Sequence, residues 1–227
     1  MGNGAKLAAG SFFVVLPLAL GVALLINQPH IAKRKGYFAT FFFTPNITSA
    51  VAVAFIFGLV FNRDFGVLNA VLGRLGVEPI SWTRDPRWTI PALIIVVTWR
   101  YLGINILYFL AGLQNVPQEL IEAAKIDGAS PFQRLVHVIL PLLKPVMMFI
   151  VFQALLGSFN MFTEAYLLAG KGGGPQNSLL FPTTLLYDQA FRLQNFGYSA
   201  ALGYVFTMIM LVFSLFQLKM FNLREQG

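Results

Sequence analysis

Five long stretches of this chain carry almost no charge, and that constrains its fold more than any other feature. They run from Leu7 to Ile26, Tyr37 to Phe61, Thr89 to Leu113, Pro145 to Thr163 and Gly197 to Leu218, and only Arg100 interrupts one of them. A bilayer core is crossed by about 20 apolar residues in a helix. Each stretch is close to that length or longer. Backbone groups in hydrocarbon must be satisfied within the segment, so helices are expected rather than strands. A membrane β-barrel would show alternating segments of about ten residues instead. The first stretch has too long an apolar core for a signal peptide and no small-residue cleavage pattern after it.

Composition agrees. Apolar residues make up 57% of the 227 residues and charged residues only 11%, against about 25% charged in an ordinary soluble domain. The net charge of +7 would raise nucleic acid as a partner in a soluble protein. Here the charges lie between apolar stretches and bear on membrane orientation instead. No nucleic-acid partner is expected, whereas lipid is. The chain has no cysteine, which removes disulfides, thiolate metal sites and cysteine nucleophiles. His30 and His137 are far apart and lack metal-type spacing with carboxylates, so no metal site is expected.

The links set the orientation. Lys33, Arg34 and Lys35 crowd the short link Asn27 to Gly36. Lys125, Arg134 and Lys144 lie in the link 114–144, and Lys219 and Arg224 in the tail. The other links carry Arg63, Arg74, Arg84, Arg87, Lys171 and Arg192. The difference is small, so the dense triplet carries the assignment: the first set is expected on the cytoplasmic side and the N-terminus outside. Trp82 and Trp88, in the outer link Asn62 to Trp88, are expected at headgroup level. The apolar run Ser178 to Tyr187 is too short to span, and it fits either the interface or a cavity wall.

The inner link from Val116 to Pro145 is the most informative. Pro117 suits the first turn of a helix, and Glu119 and Glu122 sit where the helix dipole favours negative charge. Gly128 is placed to close that helix with a left-handed residue. Ser130 and Gln133 form a Ser-x-x-Gln capping box for a second helix, with Pro131 at its first position. Phe132, Leu135, Val136 and Ile139 make its apolar stripe. Pro141 and Pro145 are expected to bend or reset the chain before the fourth span. This structured knob fits two readings equally: it docks a partner, or it only caps the bundle.

Polar groups within the spans are the candidates for a solute pathway. A charge at membrane depth is costly and marks function by default, which singles out Arg100, unless it lies near an interface and snorkels. Tyr101, Asn105 and Tyr108 follow it. Ser158, Asn160 and Glu164 are the polar set of the fourth span, with Asn160 and Glu164 sharing a helix face at i, i+4. Hydroxyl, amide and carboxylate groups beside Phe159 and Phe162 suit recognition of a sugar. Hydrogen bonding between helices is an equal alternative. Gly170-Lys171 is not a nucleotide loop, because Gly172 stands where a hydroxyl residue is needed. The spans show no paired carboxylates or His cluster for a membrane enzyme. Nor do five unequal spans show the inverted repeats of a self-contained secondary transporter, the remaining alternative.

The stretches Glu122-Ala123-Ala124, Asp127-Gly128-Ala129 and Ile139-Leu140-Pro141 resemble, in order, the EAA signature of binding-protein-dependent ABC importer permeases. The likeness is to the carbohydrate-uptake class, which takes up maltose-type oligosaccharides, glycerol phosphate and similar solutes. Phe42 to Pro45 with Ser49, Asn62 through Asn69, Trp99 with Gly103, Leu110 through Gln114, Gly173-Gly174-Pro175 and Gly197 through Ala201 resemble further family phrases along nearly the whole chain. The resemblance implies one permease domain over 1–227: an all-α polytopic transmembrane bundle of five spans with a cytoplasmic coupling helix. Most members have six spans, and this sequence starts where their second helix would. Residues 169–175 form a slightly longer loop than the usual form. The resemblance also implies that Glu122, Ala123, Ala124, Asp127 and Gly128 dock on a cytoplasmic ATP-binding cassette ATPase dimer. It implies a second homologous permease subunit and an extracytoplasmic solute-binding protein as partners, and residence in the bacterial inner membrane. The subunit itself would then be no enzyme and hold no cofactor, ATP being bound by the partner.

Overall fold

The computed structural model describes residues 1–28, 31, 35–170 and 172–222. His30, Lys33, Arg34, Lys171 and Arg224, which entered the orientation and metal arguments, lie outside the described residues. Ten helices of four residues or more carry the fold among the described residues, and a π turn, Asp188–Arg192, continues the ninth. They are α1 (Gly2–Ile26), α2 (Lys35–Ile47), α3 (Ala50–Val60), α4 (Val67–Arg74), α5 (Pro86–Gln114), α6 (Gln118–Ile126), α7 (Pro131–Phe159), α8 (Thr163–Ala169), α9 (Pro182–Tyr187) and α10 (Phe196–Asn222). Four of these, α1, α5, α7 and α10, are long and apolar enough to cross a membrane, and α2 with α3 makes a fifth if the pair is one span.

Two expected spans differ in form. The stretch Tyr37 to Phe61 is not one helix: it breaks at Ser49, whose backbone is extended (φ −54°, ψ 132°). Pro45 lacks an N–H, and the hydroxyls of Thr40 and Thr44 donate back to the carbonyls of Gly36 (3.0 Å) and Thr40 (2.8 Å). Such back-bonding bends helices, and together these features loosen the ladder before the break. In contrast, Pro141 and Pro145 do not reset the chain. Both lie within α7, which continues from Pro131 to Phe159 with a wide π turn at Leu135–Ile139 just before Pro141. The fourth span therefore starts from the amphipathic segment without interruption.

The chain divides into two compact units, each assembled from separate segments. One contains Phe12–Ile47 and Trp99–Gln153. Its core joins Ala19, Ala23 and Ile26 of α1, Ile106, Phe109, Leu110 and Leu113 of α5, and Leu143 and Ile150 of α7. Small residues permit these contacts. A side-chain carbon added at Gly103 would overlap the carbonyl of Phe42, so α2 and α5 touch backbone to backbone there. Gly112 is similarly close to Leu143 and Val146. Since lipid tails are as apolar as leucine, such close packing is what holds membrane helices together.

The other unit contains Met1–Ser11, Thr48–Thr98 and the chain from Ala154. Here the start of α1 presents Gly4 to the Phe159 ring and Gly10 to Ile94. Asn3 donates to the carbonyls of Asn177 (2.8 Å) and Leu180 (3.0 Å). Helix α8 lies along α3, and α9 is held by Thr183 Oγ1 on the Met161 carbonyl (2.7 Å) and by Ser199 Oγ on the Leu186 carbonyl (2.8 Å). The run Ser178 to Tyr187 is thus a turn that follows the 3₁₀ segment Pro175–Asn177, plus short α9, seated on its own unit.

Between α3 and α5 the link is organised by one side chain. Asn69 is buried, with its Nδ2 donating to the carbonyls of Ile80 (2.8 Å) and Arg63 (3.2 Å), and its Oδ1 accepting from Ile80 N (3.1 Å) and Trp82 Nε1 (3.0 Å). Trp82 is therefore a buried member of the link, its indole N–H satisfied inside the protein. Trp88 touches it at 5.3 Å between ring centroids and remains more exposed. At the start of α5, Asp85 accepts from Arg87 N (3.0 Å) and pairs with the Arg87 guanidinium (2.7 Å). That side-chain hydrogen bond holds the Asp85 carboxyl below its ordinary value.

Two outcomes follow from this packing. Gly103→Val is expected to separate α2 from α5, seen as a lower thermal transition of the detergent-solubilised protein, while Gly21→Val, at a glycine with open space beside it, leaves the transition in place. Asn69→Leu leaves buried backbone groups without partners, at about 1–3 kcal/mol each, and hydrogen exchange across 62–82 is expected to rise.

Candidate functional site

The knob between α5 and α7 is built as the sequence dictates, with one shift. Pro117 is the residue before the helix, extended at ψ 125°, and α6 starts at Gln118. Glu119 lies in the first turn and Lys125 in the last, both favourable to the helix dipole. The end of α6 is a Schellman closure: Gly128 N donates to Lys125 O (3.1 Å) and Ala129 N to Ala124 O (2.9 Å). It requires a left-handed residue, and Gly128 supplies it at φ +79°. Immediately afterwards, Ser130 Oγ accepts from Gln133 N (3.3 Å) and Gln133 Oε1 accepts from Ser130 N (2.7 Å), completing the capping box at the start of α7.

No residue of α6 is buried. Glu122, Ala123, Asp127 and Gly128 are exposed, and Ala124 is half-buried. Apolar side chains are exposed beside them: Leu120 at 47%, Ile126 at 86% and Phe132 at 72%. With no residue buried and most of them exposed, α6 leaves one face open. Its outer face combines a carboxylate, small residues and large apolar groups on a backbone fixed at both ends.

The polar residues of the spans fall in both units. Arg100, Tyr101 and Asn105 belong to one of them. Arg100 is half-buried and lies over the Tyr101 ring at 5.6 Å. This cation–π contact favours a charge held against protein rather than one snorkelling to water. Asn105 Nδ2 donates to Tyr101 O (2.9 Å). Tyr108 meets Phe149 edge-on at 5.1 Å.

Ser158, Asn160 and Glu164 belong to the other unit. The expectation that Asn160 and Glu164 share a helix face does not hold. Helix α7 ends at Phe159, Phe162 turns the backbone (φ −131°, ψ −71°), and α8 restarts at Thr163. Asn160 is exposed and donates to Leu156 O (2.9 Å), while Glu164 is buried. Ser158 is buried and donates to Ala154 O (2.7 Å). The break costs little backbone pairing, because Thr183 Oγ1 caps the Met161 carbonyl exposed there. Sequence reasoning had no strong local signal for this break, since residues 160–162 contain neither Gly nor Pro.

It also missed the aromatic group next to the break. Phe162, Tyr166 and Tyr187 contact one another at 5.1–5.3 Å between centroids, and Phe191 extends the group from Tyr187 at 5.2 Å. Beside it Asp188 is buried and pairs with Arg192 at 3.1 Å. Their spacing at i, i+4 was the available signal.

The loop chemistry of the knob gives a direct test. Gly128→Val forces a β-branched residue into a left-handed conformation, at about 1–2 kcal/mol or more. Gly128→Asn tolerates that conformation. Limited proteolysis between 124 and 134 is expected to accelerate for the valine variant and to stay near the parent rate for asparagine.

Comparison with known proteins agrees with this architecture. The chain resembles a bacterial ABC transporter involved in import of the acidic polysaccharide alginate, with a TM-score of 0.85 and 23% identity over 97% of this chain and 77% of that one. At that identity the likeness speaks for the fold. In sequence it is similar to the arabinooligosaccharides transport system permease protein of Bacillus subtilis, 37% identical over 92% of this chain and 67% of the relative. It is also 37% identical to the lactose transport system permease protein of Rhizobium radiobacter, over 91% of this chain and 71% of the relative. The trehalose/maltose transport system permease protein of Thermococcus litoralis is 32% identical over 92% and 69%. With residues 16–221 matching the family of inner membrane components of binding-protein-dependent transport systems, the chain belongs to that family of ABC transporter permeases.

Proposed function

We propose that this permease carries a sugar or sugar-like solute across the cytoplasmic membrane of a bacterium as one subunit of an ATP-driven importer. The observation that carries the proposal is the exposed, doubly capped α6 knob of a membrane-embedded chain. Such a knob has little use within its own bundle, and it offers a rigid handle to a soluble partner. The partner we assign is an ATP-binding cassette ATPase dimer, with Glu122, Ala123, Ala124, Asp127 and Gly128 as the docking residues. Ala123 and Ala124 permit close approach, and Glu122 can meet a basic group.

A second homologous permease subunit would complete the translocation pathway, and an extracytoplasmic solute-binding protein would deliver the solute. The solute class is supported by the relatives, whose names specify arabinooligosaccharides, lactose and trehalose/maltose. We assign Arg100, Tyr101, Asn105, Ser158, Asn160 and Glu164 to the pathway. Their hydroxyl, amide and charged groups suit a polyhydroxylated ligand, although the Ser158 hydroxyl is already engaged with its own helix. ATP would be bound by the partner ATPase alone. The cycle would be alternating access: closure of the ATPases on ATP opens the bundle outward, and hydrolysis returns it inward.

Purification with and without the partner subunits tests this. ATPase activity stimulated by the solute-loaded binding protein is expected in the full assembly only. Glu122→Arg is expected to abolish stimulated uptake while membrane insertion stays at the parent level. Proton- or sodium-driven uptake by this chain alone would establish the secondary-transporter alternative instead. Unchanged uptake by Glu122→Arg would remove the docking assignment.

A further inference from the structure

We infer that α4 is an interfacial helix, resting its outer stripe on the headgroup boundary of an anionic bilayer. The inference depends only on membrane residence and not on the solute or the energy source.

The helix is two-faced. Asn69 is buried, and Leu68 and Leu72 are half-buried. Val67, Val71, Arg74 and Leu75 recur at i, i+4, i+7 and i+8, the spacing of one helix face. Their apolar members are exposed, at 64% for Val67, 51% for Val71 and 75% for Leu75, and Phe65 just before the helix is 68% exposed. Arg74 is the stripe's only charged group.

Two sets of contacts fix where this face lies. At its start, Asn62 accepts from Gly66 N through its carbonyl (3.0 Å), and its Oδ1 accepts from Asp64 N (2.9 Å) and Phe65 N (3.2 Å). That compact turn places α4 directly at the end of apolar α3. From its inner face, Asn69 bonds the Trp82 indole, whose ring meets Trp88 in the first turn of α5. Helix α5 is long and apolar enough to span. So α4 is tied at the same time to the end of one apolar helix and the first turn of a span, at the depth where hydrocarbon meets headgroups.

A helix at that depth with an apolar stripe and a flanking basic residue matches the chemistry of an anionic lipid surface. Docking a soluble protein is the weaker fit. The stripe's apolar part offers no hydrogen-bonding side chain, whereas soluble partners place a polar rim around an apolar centre.

The chain lacks cysteine, so a single introduced thiol takes a label uniquely. Val71→Cys and Leu75→Cys would carry an environment-sensitive fluorophore, with Glu78→Cys as the exposed reference beyond the helix. The full chain is placed in vesicles of phosphatidylethanolamine with a minority of phosphatidylglycerol. Lipids bearing a nitroxide just below the headgroup are expected to quench most of the emission at 71 and 75. Aqueous iodide is expected to quench the label at 78 instead. If iodide quenches 71 and 75 as it quenches 78, or if only an added solute-binding protein shields them, α4 is not a lipid-facing helix.

Discussion

A peptide N–H or carbonyl without a partner is more costly in hydrocarbon than anywhere else in a cell, and three irregular points of this fold meet that cost with side chains. Where the backbone stays helical, no further provision is needed, and side chains are free to be apolar. At three places where it departs from helix, a polar side chain stands by. Thr183 covers the Met161 carbonyl beside the break between α7 and α8. Asn3 covers the carbonyls of Asn177 and Leu180, in the turn where Gln176 and Asn177 adopt left-handed backbone. Asn69 does the same for three carbonyls and one N–H of the link before α5. Much of the chain's scarce polarity thus serves to repair its own backbone.

That use of polarity bears on the residues proposed for the pathway. Asn105, Ser158 and Asn160 each donate to a carbonyl four residues earlier, of Tyr101, Ala154 and Leu156. A side chain so engaged is oriented before any ligand arrives, which lowers the ordering cost of binding. It is also partly spent. Serine, with a single hydrogen, has less left to offer than the two amides.

How much of this was legible in the sequence depends on whether the cause was local. The α6 knob was read almost completely, because helix capping is decided within four or five residues. Ser130, Gln133 and Gly128 occupy the positions their chemistry demands. Span existence was equally plain from uncharged length. The misplacements came where distant residues decide. The Asn160–Phe162 break is covered by Thr183, 22 residues beyond Met161, and Gly157, Ser158 and Asn160 beside it are weaker punctuation than a proline. The burial of Trp82 went unread because its partner Asn69 lies thirteen residues earlier. Pro141 and Pro145 were read as bending or resetting the chain, yet α7 continues through both, with a wide turn just before Pro141. Gly103 was visible only as part of a family phrase. Its role, a backbone contact with Phe42, needs the third dimension.

The Asn69 hub has one more consequence. Loops of many proteins are fixed by disulfides, and such crosslinks open and close with the surrounding thiol–disulfide potential. This link is fixed by an amide and an indole, in a chain without a single cysteine. Its shape is therefore indifferent to redox conditions. It needs no oxidising enzyme to mature and has no covalent bond for a reductant to cut.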